Sequence, residues 1–345
     1  MHVKRSFATT LLVLAVPLLT VATADAAQTF FKVVPLVSNQ KGQAKFTDPD
    51  LINAWGLAQG PGSAPVWVAD TGTGLSTVYD QKSGKNAGIV VTIPGGSPTG
   101  IAYVPPNSGF QVTENGTSGD ADFLFDSLSG MISGWSPSVD EANAVVAYDG
   151  SAQGDVFTGL ALDTSTGFLF AADIANNKVD VFDNKFNLKS SFTDSSLPAG
   201  YAPYNVAIFN GDVYVTFTGG AGAGADSRTP KGGPGYVDIF DESGKLLKHL
   251  IKQGPLDAPW GMAMAPSSFG SFAGSLLVGN LDDGMINAFD PSSGKFLGAL
   301  STKNGAPIVI NGLWALDAVP KGDITFSAGP QGYANGLLGL IEVNK

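Results

Sequence analysis

The 345-residue chain contains no cysteine, which removes disulfide staples, thiolate nucleophiles and cysteine-ligated metals together. Histidine and arginine are almost as scarce: only His2, His249, Arg5 and Arg228 occur. A Ser-His-Asp triad, a histidine-rich metal centre or an arginine clamp therefore lacks its parts. His249, in KLLKHLIKQG, reads as a solvated residue on an outer strand and not as a general base. Charged residues make up 14% of the chain, and acids outnumber bases 30 to 19. Such a surface repels phosphate backbones and anionic membranes, so nucleic acid is excluded as a partner. Beyond residue 21, no run approaches the ~18 apolar residues of a membrane span.

The single long apolar run lies at the start. Lys4 and Arg5 precede Phe7–Val21, and Ala24-Asp25-Ala26 supplies the small residues of a cleavage site. The pattern is that of a secretory signal peptide over residues 1–26, leaving a mature chain of 27–345 in one domain, secreted or periplasmic. Losing Lys4, Arg5 and Asp25 leaves 17 bases against 29 acids, a net charge of −12. Without disulfides such an exported chain must rest on one large core, and it is expected to be a monomer.

What is abundant is glycine, at 45 residues beside 21 prolines and 43% hydrophobic residues. This is the composition of many short strands joined by tight turns. The strands recur in phrases. WVADTGTGLSTVYDQKSGK carries Asp70 and Asp80, LFAADIANNKVDVFDNKFNLK carries Asp173 and Asp183, and LLVGNLDDGMINAFDPSSGK carries Asn280 and Asp290. Each pair is ten apart and predicts one hairpin, the first member ending strand two and the second ending strand three in Asx-type turns. A second phrase opens each unit: NAWGLA, SPTGIA, VFTGLA, PYNVA, PWGMA and NGLWA. Aligning Gly56, Gly100, Gly159, Asn205, Gly261 and Leu313 gives intervals of 44, 59, 46, 56 and 52 residues. Repeats of this length with about four strands are propeller blades. The expected fold is an all-β, six-bladed propeller. The sixth unit runs out after three strands, so the N-terminal QTFFKVVPLVSNQ is expected to supply the fourth and close the ring.

In the second unit FLFDSLSGMISGWSP matches LLVGNLDDGMINAFDP with Asp126 against Asn280, which makes GFQVTENGTSGDA an insertion. The competing register puts Glu114 at that place. The fourth unit carries a Gly-rich insertion, GGAGAGADSRTPKGGPG, that lacks the flanking strand and helix of a phosphate loop.

These stretches, with LVSNQ, DPDLINAWGLA, GYVDIFDESGKLLKHL and APWGMAMAPSSFG, resemble an uncharacterised family of secreted bacterial propellers grouped with the NHL-like six-bladed folds. The resemblance covers nearly the whole mature chain. Some members carry a C-terminal Pro-Glu-Pro sorting tail, which is absent before Lys345. The resemblance implies the fold and brings no catalytic residue with it.

Ligands of a propeller gather at the mouth of the central channel. Asp70, Asp126, Asp173 and Asn280, with Asn205, are the oxygen donors expected there, and such a set could hold Ca²⁺. Trp55, Trp260 and Trp314 flank the inner-strand glycines. They read either as packing between blades or as a stacking platform for a sugar or other planar ligand. The leading expectation is a binding scaffold for a protein or glycan at the cell envelope. The alternative is a calcium-dependent hydrolase of the lactonase (gluconolactonase-like) type, polarising a carbonyl through that acidic set.

Overall fold

The computed structural model describes residues 1, 29–219, 233–319 and 322–344. The leader-like stretch, and with it the expected cleavage site, lies outside the described residues, as do Arg228 and most of the Gly-rich insertion. Five four-stranded antiparallel sheets and a sixth, larger sheet follow one another along the chain. We number them blades 1 to 6. Blade 1 runs Ala54–Gln59, Val66–Asp70, Leu75–Tyr79 and Asn86–Thr92 from the axis outward. Blades 2 to 5 begin on the inner strands Pro98–Tyr103, Phe157–Asp163, Tyr201–Phe209 and Pro259–Met264. Among the described residues the only helical turns are two 3₁₀ segments, Ser151–Gln153 and Gly270–Phe272. No described helix is long and apolar enough to cross a membrane.

Burial follows from a strand's distance to the axis. Second strands such as Val66–Asp70 are wedged between neighbouring blades and are buried on both faces. That is why VWVA and LLVG read as unbroken apolar runs instead of alternating ones. Outer strands such as Asn86–Thr92 are mostly exposed and tolerate polar residues. The cores lie between blades: Trp67 stacks on Phe123 at 4.3 Å and meets Trp135 at 4.7 Å across the seam of blades 1 and 2.

The recurring inner-strand glycine has a packing reason. A Cβ on Gly56 would collide with the carbonyl of Thr99 in the next blade. Gly100, Gly159 and Gly261 meet the next inner strand in the same way. Blade 4 has Asn205 at this place, and its Nδ2 donates to the carbonyl of Trp260 in blade 5 at 2.8 Å.

Ring closure is as expected. Phe31–Ser38 pairs antiparallel with Leu337–Val343, from Phe31 against Val343 to Ser38 against Leu337, and completes blade 6. A short parallel strand, Phe46–Thr47, extends that sheet outward. Phe31 and Val37 are fully buried in this seam.

The sixth unit corrects the sequence alignment. Leu313 pairs with Ala328 and Leu316 with Phe326 across a bulge, as Pro259 pairs with Asn280 and Met262 with Val278 in blade 5. Leu313 is thus the counterpart of Pro259, and Ala315, not Leu313, stands opposite Gly261. The closing interval is 54 residues, from Gly261 to Ala315, not 52. In blade 2 the second strand is Phe123–Ser127, so Asp126 holds the expected place. Glu114 ends one strand of a separate, mostly exposed hairpin, Gln111–Glu114 with Thr117–Asp120.

Candidate functional site: a plugged central channel

The residue just before the inner-strand glycine or its counterpart is, in blade order, Trp55, Thr99, Thr158, Tyr204, Trp260 and Trp314. The four aromatics converge on the axis. Trp55 and Trp314 stack at 3.6 Å with planes 15° apart, and Trp260 stands edge-on to both, at 6.2 and 6.0 Å. Tyr204 meets Trp314 at 6.2 Å. Trp260 Nε1 donates to the carbonyl of Thr158 two blades away at 2.8 Å, so its ring spans the axis. Trp314 Nε1 donates to Asn53 Oδ1 at 2.8 Å. All three tryptophans are buried, and they form a plug where the inner strands begin. Their ring faces are spent on one another.

Beyond the plug, inner-strand residues of all six blades line a cavity of about 470 Å³. Its wall is largely Leu57, Ile101, Leu160, Val206, Met262 and Leu316, with alanines between. Besides Trp260, whose indole N–H is taken by Thr158, four residues with polar side-chain groups line it: Gln59, Tyr103, Asn205 and Asp317. Asp317 is the one charged residue of the lining. Its counterparts in the other blades are Ala58, Ala102, Ala161, Ala207 and Ala263. Half-buried against these apolar walls, its carboxyl is pushed by desolvation up to about 7, against the opposing effect of the Ala318 backbone N–H. Sequence reading passed over Asp317 because NGLWALD was set two residues out of register. With Trp314 placed against Trp260, the column of five alanines and one acid is legible.

The expected oxygen donors lie elsewhere. Asp70, Asp173 and Asn280 pair with the first residues of the inner strands, level with the plug and buried, and Asp126 holds the matching place in blade 2. Among the described residues, Asp70, Asp126 and Asp173 do not come together as a carboxylate cluster. Each is bound within its blade or to the next. Asp70 Oδ2 accepts from Thr77 Oγ1 at 2.7 Å. Asp126 accepts from Thr99 Oγ1 at 2.7 Å and from the Gly100 N–H. Asp173 accepts from the Val156 N–H at 3.0 Å and Asn176 Nδ2 at 2.7 Å, and Asn280 Nδ2 donates to the Pro255 carbonyl at 2.8 Å. The second members of the ten-residue pairs behave as read. Asp80 and Asp290 cap exposed turns, accepting the N–H groups of Ser83 and Ser293.

Burial raises the carboxyls of Asp70, Asp126 and Asp173, the last two to about 6. Between pH ~4 and ~6 the native groups hold protons that the unfolded chain has released, so stability falls as pH rises through that window. Asp126 alone is expected to make the protein about 2 kcal/mol more stable at pH 4.5 than at pH 7.5. Urea titrations at the two pH values check this, and Asp126→Asn should shrink the difference.

His249 departs from its expected role. Its side chain is 28% exposed, and Nδ1 lies 3.1 Å from Asp238 Oδ1 and 3.2 Å from Asp194 Oδ2. It is pinned at a seam between blades, not freely solvated.

No family model matches the chain. It is 31% identical over 332 residues to the uncharacterised protein R648 of Acanthamoeba polyphaga mimivirus, covering 91% of this chain and 81% of R648. It is also 31% identical over 326 residues to uncharacterised protein L690 of the same virus, covering 90% and 85%. These relatives are viral where the resemblance implied bacterial ones. Among solved structures, hydrazine synthase of Kuenenia stuttgartiensis superposes with a TM-score of 0.52 at 13% identity, covering 87% of this chain and 98% of that one. That likeness supports the propeller fold alone.

Proposed function

The chain belongs to the family of the uncharacterised mimivirus proteins R648 and L690, and on that premise we propose that it is a binding module whose channel takes a small ligand. The single observation behind this reading is Asp317, one carboxylate in an otherwise uncharged lining. A pocket of about 470 Å³ is of ligand size, and one polar anchor on an apolar wall is how such pockets orient what they hold. The fitting ligand is compact and mostly apolar, with one amine or hydroxyl donor directed at Asp317. Binding is favoured over the calcium-dependent hydrolase because Asp70, Asp126 and Asp173, the donors that reading needs, do not come together at the channel. The basic-then-apolar start of the sequence supports action outside the cytoplasm.

A thermal-shift screen of small aliphatic and aromatic amines, each beside its isosteric hydrocarbon, tests the reading. An amine at about 100 times its Kd should stabilise the protein by about 2.7 kcal/mol. Asp317→Asn should lose most of that gain while itself being at least as stable as the parent at pH 7.5, since it no longer buries a charge. Equal stabilisation of parent and variant, or none by any amine, would contradict it.

A further inference from the structure

We propose that Asp194, Asp238 and His249 form a site for a divalent transition-metal ion at the seam between blades 3 and 4. Asp194 lies in the connector that leaves blade 3, beyond the outer strand Leu188–Phe192. Asp238 lies in the third strand of blade 4, Tyr236–Phe240, and faces His249 across the sheet from Leu246–Lys252. The carboxylates are buried, their side chains 3% and 0% exposed.

The donor atoms of the three side chains converge on one another. Asp194 Oδ1 is occupied by the N–H and Oγ of Ser196, at 2.8 and 2.7 Å. This fixes the carboxylate and leaves Oδ2 directed at His249 Nδ1, 3.2 Å away, and towards the carboxyl of Asp238. Asp238 Oδ1 lies 3.1 Å from the same nitrogen, and its Oδ2 is also buried. One imidazole nitrogen can satisfy only one of these acids by donating a proton. Ligand bonds of about 2.1 Å to a single ion place neighbouring donors about 3.0 Å apart in octahedral and 3.4 Å apart in tetrahedral geometry. The two separations from His249 Nδ1, 3.1 and 3.2 Å, fall in that range. Imidazole with two carboxylates suits a first-row divalent ion, and the partly exposed side of His249 leaves room for water as a further ligand.

Blade 3 shows how the same strand position is satisfied when a cation is built in. Asp180, the counterpart of Asp238, is paired across the sheet with Ser191, the counterpart of His249. There Lys178 Nζ sits 2.8 Å from Asp180, 3.5 Å from Asp173 and 3.7 Å from Asp155. In blade 4 the counterpart of Lys178 is Tyr236, and among the described residues no Lys or Arg pairs with Asp194 or Asp238. Two buried carboxylates facing at most one imidazolium are compensated either by a proton shared between them or by a divalent ion in its place.

The test uses the full chain stripped with a chelator, titrated with Zn²⁺ by calorimetry and with Co²⁺ by absorbance and imidazole NMR. The chain has two histidines, His2 and His249, and comparison with His249→Gln assigns their signals. Expected are one saturable site, visible Co²⁺ bands, and displacement of the His249 signals. His249→Gln and Asp194→Asn, with folding checked by circular dichroism, should each weaken Zn²⁺ by at least about tenfold. Asp140→Asn, at a turn acid of blade 2 remote from this seam, should change nothing. Absence of saturable binding, signal changes confined to His2, or unaltered affinity in folded His249→Gln would overturn the assignment.

Discussion

Deleting residues 29–47 is expected to abolish cooperative folding. The segment supplies the fourth strand of blade 6, and its removal bares the backbone edge of Leu337–Val343. Phe31 and Val37 leave with it, and Leu338 and Ile341, fully buried in the intact protein, face water. Burying a side chain of this kind is worth about 1.5–3 kcal/mol, and a domain's whole margin is only about 5–15 kcal/mol. The open edge also becomes a template for pairing with other chains. Size exclusion should show aggregates, and circular dichroism no sigmoidal melt. A synthetic peptide of residues 29–40 added during refolding should recover monomer, because the lost element is a separable strand. A deletion variant that melts like the parent would show that the ring does not depend on this closure.

Trp314→Ala should be the most costly single substitution in the channel. Its side chain is fully buried, stacks on Trp55, and meets Trp260, Tyr204 and Tyr333. Truncating a buried tryptophan costs about 3–5 kcal/mol in transfer and cavity terms. Here Asn53 Oδ1 also loses the indole N–H at 2.8 Å, which pushes the cost towards the top of that range. Trp314→Phe keeps much of the stack and forfeits the hydrogen bond, so about 1–3 kcal/mol is expected. Urea midpoints at constant slope provide the measurement. The alanine variant should also open the plug and lengthen the cavity.

Much of the fold was legible because a propeller repeats its constraints. Each blade must turn a hairpin after strand two and another after strand three, and the ten-residue spacing of Asp70 and Asp80 or Asn280 and Asp290 records that geometry. The inner-strand glycine recurs because each neighbouring blade approaches Gly56, Gly100, Gly159 and Gly261 closely. The register of blade 6 was harder to read, because Ala315 replaces the glycine and removes the marker. The candidate site was less legible for the same reason. Asp70, Asp126 and Asp173 carry the repeat, and repetition is what structure demands. The residues that break the repeat sit where chemistry is possible: Asp317 in a column of alanines, and His249 where blade 3 has Ser191. The cluster at the seam of blades 3 and 4 could not be assembled from spacing, since Asp194 reaches it from a connector outside the repeat.

On the proposed reading, the channel beyond the tryptophan plug is where this protein holds a ligand. Crystals soaked in a library of small amines and alcohols test it most directly. Fragments should occupy the space between the inner strands with a donor on Asp317, and they should vanish from that position in Asp317→Asn crystals. Fragments clustered on the outer loops, with the channel unoccupied in both proteins, would contradict it.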